Sequence, residues 1–168
     1  MKFLYSGNMK AITPPPTKPI TVGCWTVATK DGDYAYRTTL QLGTYKKTIE
    51  NVGTGTHQFG SLQALVTALR ALKKGNANIR LFTTSKYIHD NLIDIKNMKA
   101  RGWNNRIGEP ITYKEVWQEI YEMLDQKCAT IEVIVIDRND DRMIEPMQRL
   151  RALAKHEAQP IMMEVSRK

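Results

Sequence analysis

The spacing of apolar residues changes near residue 60 of this 168-residue chain, and this change constrains the fold more than any other feature. Before it, residues 21–29, 34–42 and 46–52 read as strands, and Asp31 and Gly32 indicate a hairpin between the first two. After it, one apolar stripe repeats at helical spacing and is formed by Leu62, Leu65, Val66, Leu69 and Leu72. Strands followed by an amphipathic helix predict a sheet covered by helices.

The later segments continue to alternate between strands and helices. Residues 79–84 and 131–136 are short apolar runs, and the second is typical of a strand covered on both faces. Helices are predicted at 86–96, from Thr112 to Leu124 and from Pro146 to His156. We therefore predict an α/β fold with a mixed five-stranded sheet, in which three antiparallel strands precede parallel strands, flanked by helices.

The length of the chain predicts a single domain over residues 1–168. The stretch 10–20 contains Pro14, Pro15, Pro16 and Pro19, which indicate a stiff, extended connection. The tail at 158–168 is expected either to add a short strand or to bind a partner.

Composition narrows the class of partner and the compartment. Twenty-five Lys and Arg against 17 Asp and Glu leave a net charge of +8, which favours polyanionic partners. No apolar run approaches the roughly 20 residues of a membrane span, so no membrane association is expected. Cys24 and Cys128 lie far apart in apolar runs and predict buried free thiols, which indicates a cytoplasmic protein.

Several segments carry a family resemblance. SLQALVTALRALKK at 61–74 is similar to a helix that begins Glu-Leu, and RLFTTSKYI at 80–88 to a strand and turn ending Thr-Asp-Ser-x-Tyr-Val. KNMKARGW at 96–103 is similar to a basic protrusion, and FLYSGN at 3–8 to a first strand ending Thr-Asp-Gly-Ser. Together with Trp117, these segments resemble ribonuclease HI, whose fold has the predicted order of elements.

The same resemblance exposes what this chain lacks. Ser6, Ser61 and Thr84 stand where the family has three metal-binding carboxylates. The fourth acidic position falls in a window that contains Gln148, Arg149, Leu150 and Arg151 and no acid, and residues 138–142 contain no histidine. Neutral hydroxyls do not offset the charge of two divalent cations, so we predict no metal site, no cofactor and no catalytic residues.

Other interpretations of these residues stay open from the sequence. Ser61 is also consistent with a helix cap, Ser6 with a turn residue and Thr84 with a plain strand end. A relocated metal site would draw on the acids after the last strand, which are Asp137, Asp140 and Asp141.

A binding surface is predicted beside the missing catalytic residues. Loss of acids makes a groove less repulsive to phosphate, and basic residues interleaved with an aromatic suit a phosphate-tracking surface. The candidate nucleic-acid-binding residues are Thr56, His57, Gln58, Lys86, Lys96, Lys99, Arg101, Trp103 and Arg106. The alternative is that Trp103 packs against Trp117 or the second helix, while the charges only solvate a loop.

The sequence therefore supports three hypotheses. The first is a catalytically inactive ribonuclease H-like protein that binds duplex or RNA/DNA hybrid through a basic groove and protrusion. The second is a scaffold that uses the fold to bind a protein partner. The third is an active, metal-dependent ribonuclease with relocated ligands.

Overall fold

A computed structural model describes residues 2–6, 18–72, 77–162 and 164–167 of the protein. Within these residues there are seven strands: Lys2–Ser6 (β1), Ile20–Ala28 (β2), Asp33–Leu42 (β3), Tyr45–Thr54 (β4), Ala77–Thr83 (β5), Cys128–Val135 (β6) and Glu164–Arg167 (β7). The α-helices of the same residues are His57–Ala71 (α1), Lys86–Ile93 (α2), Ile95–Ala100 (α3), Lys114–Lys127 (α4) and Ile144–Ala154 (α5), and a 3-10 turn covers Asp141–Met143. No helix in this described part is long and apolar enough to cross a membrane.

The strands form one sheet in the order β1-β6-β5-β2-β3-β4-β7. β2, β3 and β4 are antiparallel, whereas β2 is parallel to β5 and β5 is parallel to β6. These five inner strands confirm the predicted α/β fold and its order of antiparallel and parallel strands. Because β2, β5 and β6 are parallel, their carboxyl ends lie at one edge of the sheet, where α/β proteins carry their sites.

The sheet has two more strands than the predicted five. β1 adds to the outer side of β6 in parallel, and β7 adds to the outer side of β4 with antiparallel pairs such as Lys47 with Val165. The C-terminal tail therefore forms a short strand, which was one of the two predictions made for it. β1 and β7 have only five and four residues, and so short a run shows no clear apolar period in the sequence.

The β2–β3 hairpin follows from its turn residues. Gly32 has a φ of 86°, a left-handed conformation that glycine adopts without strain. The amide of Thr29 donates to the carbonyl of Asp33 at 2.7 Å, and the amide of Asp33 donates to the Thr29 hydroxyl at 3.2 Å. This turn places Lys30 and Asp31 just beyond the carboxyl end of β2.

Helices cover both faces of the sheet. On one face, the buried stripe of α1 packs against β2 and β3, with Leu62, Leu65 and Leu69 almost fully buried, and α4 packs beside α1 against β6. On the other face, α5 packs Met147, Leu150 and Leu153 against Trp25 and Val27 of β2. Cys24 and Cys128 are buried free thiols as predicted, and burial raises the pKa of each to about 12.

Candidate nucleic-acid interface

Ser61 and Thr84 are buried hydroxyls without a hydrogen-bond partner. Thr84 directly follows β5 and is 9% exposed. Ser61 lies in the second turn of α1 and is 3% exposed. Within the described residues, neither hydroxyl has a partner. Buried polar groups nearly always have one, so these two are exceptions that call for an explanation. Since Thr56 rather than Ser61 caps α1, the helix-cap interpretation of Ser61 is wrong.

Ser6 does not belong with these two hydroxyls, which corrects the sequence prediction. It is the last residue of β1 and pairs with Val133 of β6, so β5 and β6 separate it from β2. The strand beside β5 on the inner side is β2, where Cys24 pairs with Thr83. Continuing this register places Thr26, which is 2% exposed, next to the segment of Thr84. Thr26 was missed because the short match at 3–8 was taken as the first strand of the family. In the family order three consecutive strands precede the first helix, and in this chain the first of those three is β2, which contains Thr26.

His57 lies at the start of α1 against the end of β2. Its Nε2 is 3.2 Å from the carbonyl oxygen of Thr26, to which it donates. Burial lowers the pKa of His57, and the charge of Arg138 lowers it further, while the hydrogen bond to Thr26 acts in the opposite direction. His57 is therefore neutral near pH 7 and contributes a hydrogen-bonding group rather than a charge.

The first turns of α1, α2 and α4 meet beside this residue. The Thr56 hydroxyl accepts from the amide of Phe59 at 3.0 Å and lies 2.7 Å from the hydroxyl of Tyr113, which precedes α4. The indole of Trp117 donates to the hydroxyl of Tyr87 in α2 at 3.0 Å. The first turns of α1 and α2 contain no acid, whereas that of α4 contains Glu115. Helix N-termini carry partial positive charge, and in α1 and α2 no carboxylate of the first turn offsets it.

Replacement of Thr56 by Ala removes the cap of α1 and its bond to Tyr113. We expect the free energy of unfolding to fall by about 1 kcal/mol, as for other lost caps, measured by urea denaturation. The control is Thr44→Ala in the exposed β3–β4 turn, expected to change stability by less than about 0.5 kcal/mol. Equal effects of the two replacements would show that Thr56 does not hold the helix ends together.

The basic protrusion consists of α3 and the loop at 101–110. Lys96, Lys99 and Arg106 are exposed, and the ammonium of Lys99 lies 4.4 Å from the centre of the Tyr121 ring. Arg101 is paired with Asp94 at 3.0 Å and also donates to the carbonyl of Asn104. The free positive charge of the protrusion is therefore smaller than the sequence suggests.

Trp103 is not available for stacking on a base, which corrects its predicted role. It is 9% exposed, and its ring packs edge-on against Tyr121 of α4, with 5.9 Å between ring centres. Its amide donates to the carbonyl of Met98 at 2.8 Å, and its carbonyl accepts from Ile111. Trp103 thus anchors the protrusion to α4, a packing role that the alternative interpretation anticipated with a different partner.

The other predicted binding residues lie at the surface. Gln58 is exposed in the first turn of α1, and Lys86 is exposed in the first turn of α2, where its ammonium is 3.8 Å from Asp90. Of the fourth-acid window, Arg149 is turned toward β4, where it pairs with Glu50 at 2.8 Å. Arg151 instead is exposed and faces the β2–β3 turn.

The residues at this edge do not fit a pair of divalent metal ions. Thr26, Ser61 and Thr84 are neutral, and the described part of the chain contains no cluster of three or more His, Cys, Asp or Glu side chains suited to a metal. Asp140 accepts three hydrogen bonds from Arg142, which lower the pKa of its carboxyl to about 2. The Asp137 carboxylate accepts from the amide of Asn139 at 2.8 Å. Divalent ions need several anionic oxygens at short range, and this donor set does not supply them.

Comparison with known proteins gives consistent matches. A curated ribonuclease H of Ruthia magnifica subsp. Calyptogena magnifica is 32% identical over 54% of this chain, and one of Acidovorax sp. (strain JS42) is 30% identical over 55%. The matched region spans 64% of each relative. The crystal structure of LC9-RNase H1, a type 1 RNase H with the type 2 active-site motif, matches with a TM-score of 0.62 and 16% identity. That match covers 88% of this chain and 80% of the other.

A second solved structure is that of the foamy viral protease-reverse transcriptase in complex with dsDNA. It matches with a TM-score of 0.63 and 14% identity, and covers 87% of this chain and 97% of the other. The RNase H family model matches residues 20–136, which begin at β2 and leave Ser6 outside. Because this match covers more than half of the sequence, the chain belongs to the RNase H family.

Proposed function

We propose that the protein is a catalytically inactive RNase H-like protein that binds RNA/DNA hybrid or duplex through the helix ends and the protrusion. The observation that carries the proposal is the pair of buried, unpartnered hydroxyls of Ser61 and Thr84, where the family resemblance places carboxylates. Thr26 adds a third neutral side chain at the end of β2.

Loss of cleavage follows from charge. Two-metal hydrolysis needs anionic side chains that hold the metal ions beside the attacking water and the leaving oxygen. Hydroxyls supply no negative charge, and Asp140, one of the three acids after the last inner strand, is engaged by Arg142. The fold is thereby separated from the chemistry of the family, as is common because function lies in the site.

Binding of a nucleic acid is supported by three features. The N-termini of α1, α2 and α4 converge, and no acid lies in the first turns of α1 and α2. Lys86 is exposed in the first turn of α2, and Lys96, Lys99 and Arg106 are exposed on the protrusion. The foamy viral protein with a similar fold has been solved in complex with an RNA/DNA hybrid and with dsDNA, which supports the same class of partner here.

The test is a titration of a fluorescently labelled RNA/DNA hybrid at low salt, followed by anisotropy. We expect a dissociation constant on the order of micromolar or tighter, with no cleavage of the hybrid in Mg²⁺ or Mn²⁺ on a denaturing gel. Reversal of Lys96, Lys99 and Arg106 to Glu is expected to weaken binding about tenfold or more, because three phosphate contacts are lost.

The matched control reverses Lys18, Lys46 and Lys47, which lie at the opposite end of the sheet. It makes the same change in net charge and is expected to affect binding far less. Equal losses would mean that only net charge attracts the hybrid.

Metal-dependent cleavage by pure protein, abolished by Asp140→Asn or Asp141→Asn, would instead establish an active ribonuclease with relocated ligands. A pull-down of a protein that survives nuclease treatment, with no hybrid binding, would favour the scaffold.

A further inference from the structure

A second cleft lies between the β2–β3 turn and the C-terminal end of α5. Its volume is ≈ 560 Å³, within the roughly 300–1,000 Å³ range of small-molecule sites. Val27, Ala28 and Ala154 form an apolar floor. The cleft opens at the carboxyl end of β2, yet it lies on the α5 side of the sheet, away from the protrusion.

Basic side chains surround this cleft. Lys30, Arg138, Arg151 and Lys155 line it and are exposed. Among the residues that the structure describes, none of these four side chains has a hydrogen bond or an ion pair. Four exposed cations without a partner around one concave surface repel one another, and an anion bound among them would relieve this repulsion.

The acids of the cleft do not neutralise these cations. Asp31 and Asp33 also line it, so four Lys and Arg side chains face two carboxylates. The carboxylate of Asp33 lies 3.6 Å from Nε2 of His156, on the same side of the cleft as the turn. The positive field also reaches the neighbouring corner, since Arg138 contributes to the lowered pKa of His57.

Arg151 both lines the cleft and occupies the sequence window of the fourth metal-binding acid. It stands in the window where the family resemblance places the fourth acid, and it is the residue of that window that lines the cleft. A positively charged guanidinium there reverses the sign that a metal-binding carboxylate would have. Guanidinium groups bind phosphate oxygens through two parallel hydrogen bonds and need no metal ion to do so.

We propose that this cleft is a metal-independent phosphate-binding site in which Arg138 and Arg151 hold the phosphate and Lys30 and Lys155 flank it. The site deepens the proposed function and rests on it for the source of the phosphate, which is the backbone of a nucleic acid extending past the ends of the helices. A free nucleotide presents the same chemical group and is the other source that the experiment distinguishes.

The first experiment uses pyrophosphate alone, in EDTA, with backbone amide NMR of the full chain. We expect shifts of the amides of the turn at 29–33 and of residues 151–156 in the wild type. The double variant Arg138→Glu with Arg151→Glu is expected to lose these shifts, while Lys46→Glu with Lys47→Glu keeps them. Both arginines are exposed, and the milder pair Arg138→Gln with Arg151→Gln serves if the reversal disturbs folding.

The second experiment titrates the labelled hybrid and, separately, a nucleoside triphosphate in EDTA. We expect hybrid affinity to be unchanged by EDTA and to fall about tenfold in the double arginine variant. Two results together would overturn the phosphate site in the cleft and leave the proposed function standing. They are hybrid binding that persists in the double arginine variant and an absence of pyrophosphate shifts in the wild type. Pyrophosphate shifts without hybrid binding would support the cleft for a free nucleotide and overturn the proposed function. Loss of binding in EDTA would overturn the metal independence.

Discussion

Replacement of Glu50 by Ala is expected to lower the free energy of unfolding by about 3–5 kcal/mol. Glu50 lies on β4 with a fully buried side chain, and its carboxylate accepts from Arg37 at 2.7 Å and from Arg149 at 2.8 Å. It also accepts from the amide of Ile161 at 3.0 Å, so it joins β3, β4, α5 and the C-terminal segment. The replacement leaves two partly buried guanidinium groups without their anion, and urea denaturation would measure the loss.

The control for this prediction is an ion pair at the surface. Arg70 and Glu119 lie 2.6 Å apart, with side chains that are 64% and 41% exposed. Solvent-exposed pairs contribute little, so Glu119→Ala is expected to cost at most about 1 kcal/mol. If Glu50→Ala costs no more than Glu119→Ala, the buried cluster does not hold the elements together.

Lowering the pH should also remove the stabilisation that Glu50 gains from Arg37 and Arg149. Burial raises the pKa of Glu50, but the hydrogen bonds from Arg149, Ile161 and Arg37 outweigh it and hold the pKa below its usual value. The stabilisation is therefore complete above the unfolded pKa of about 4.3 and is lost as the pH falls through the folded pKa. The wild type should lose more stability than Glu50→Ala between pH 5 and pH 2 or so, measured by thermal unfolding in a pH series.

Raising the salt concentration from about 50 mM to about 200 mM is expected to weaken hybrid binding about 100-fold. Each phosphate contact adds roughly −0.9 to the slope of log affinity against log salt, and Lys86, Lys96, Lys99 and Arg106 offer four such contacts. Anisotropy titrations at several salt concentrations give this slope. Contacts in the arginine cleft would make the slope steeper.

The triple reversal of Lys96, Lys99 and Arg106 is the internal check on this slope. It removes three of the four contacts and should flatten the slope accordingly, by about 2.7. A slope close to zero in the wild type would rule out phosphate contacts as the basis of binding. An unchanged slope in the variant would place the contacts elsewhere on the protein.

Local sequence patterns predicted the inner strands and the first helix and pointed to the hydroxyls of Ser61 and Thr84. The Asp31 and Gly32 turn and the stripe through Leu65 and Leu69 depend on neighbours within a few residues, so spacing alone predicts them. The hydroxyls at Ser61 and Thr84 were found because each lies in a segment similar to a family motif. The edge strands β1 and β7 were not counted in the predicted five-stranded sheet, because runs of five and four residues are too short to show a clear period.

The placement of Ser6 failed for a different reason. Which strand lies beside β5 is settled by pairing between segments more than 50 residues apart, as with Cys24 and Thr83. A four-residue likeness in the first strand contains no information about that pairing. The burial of Trp103 against Tyr121 likewise depends on how α4 packs onto the loop, which the basic composition of the loop does not report.

By itself, the sequence determined the α/β class, the kinship with RNase H and the absence of carboxylates at Ser61 and Thr84, because periodicity and motifs are local. Only the tertiary structure decided that β2, which contains Thr26, pairs with β5, whereas β1, which contains Ser6, pairs with β6. It also decided that Arg149 serves the buried Glu50, whereas Arg151, two residues later, faces the cleft. The physical reason is that the charge environment of a side chain is set by residues distant in the chain, which meet only when the strands pair and the helices pack.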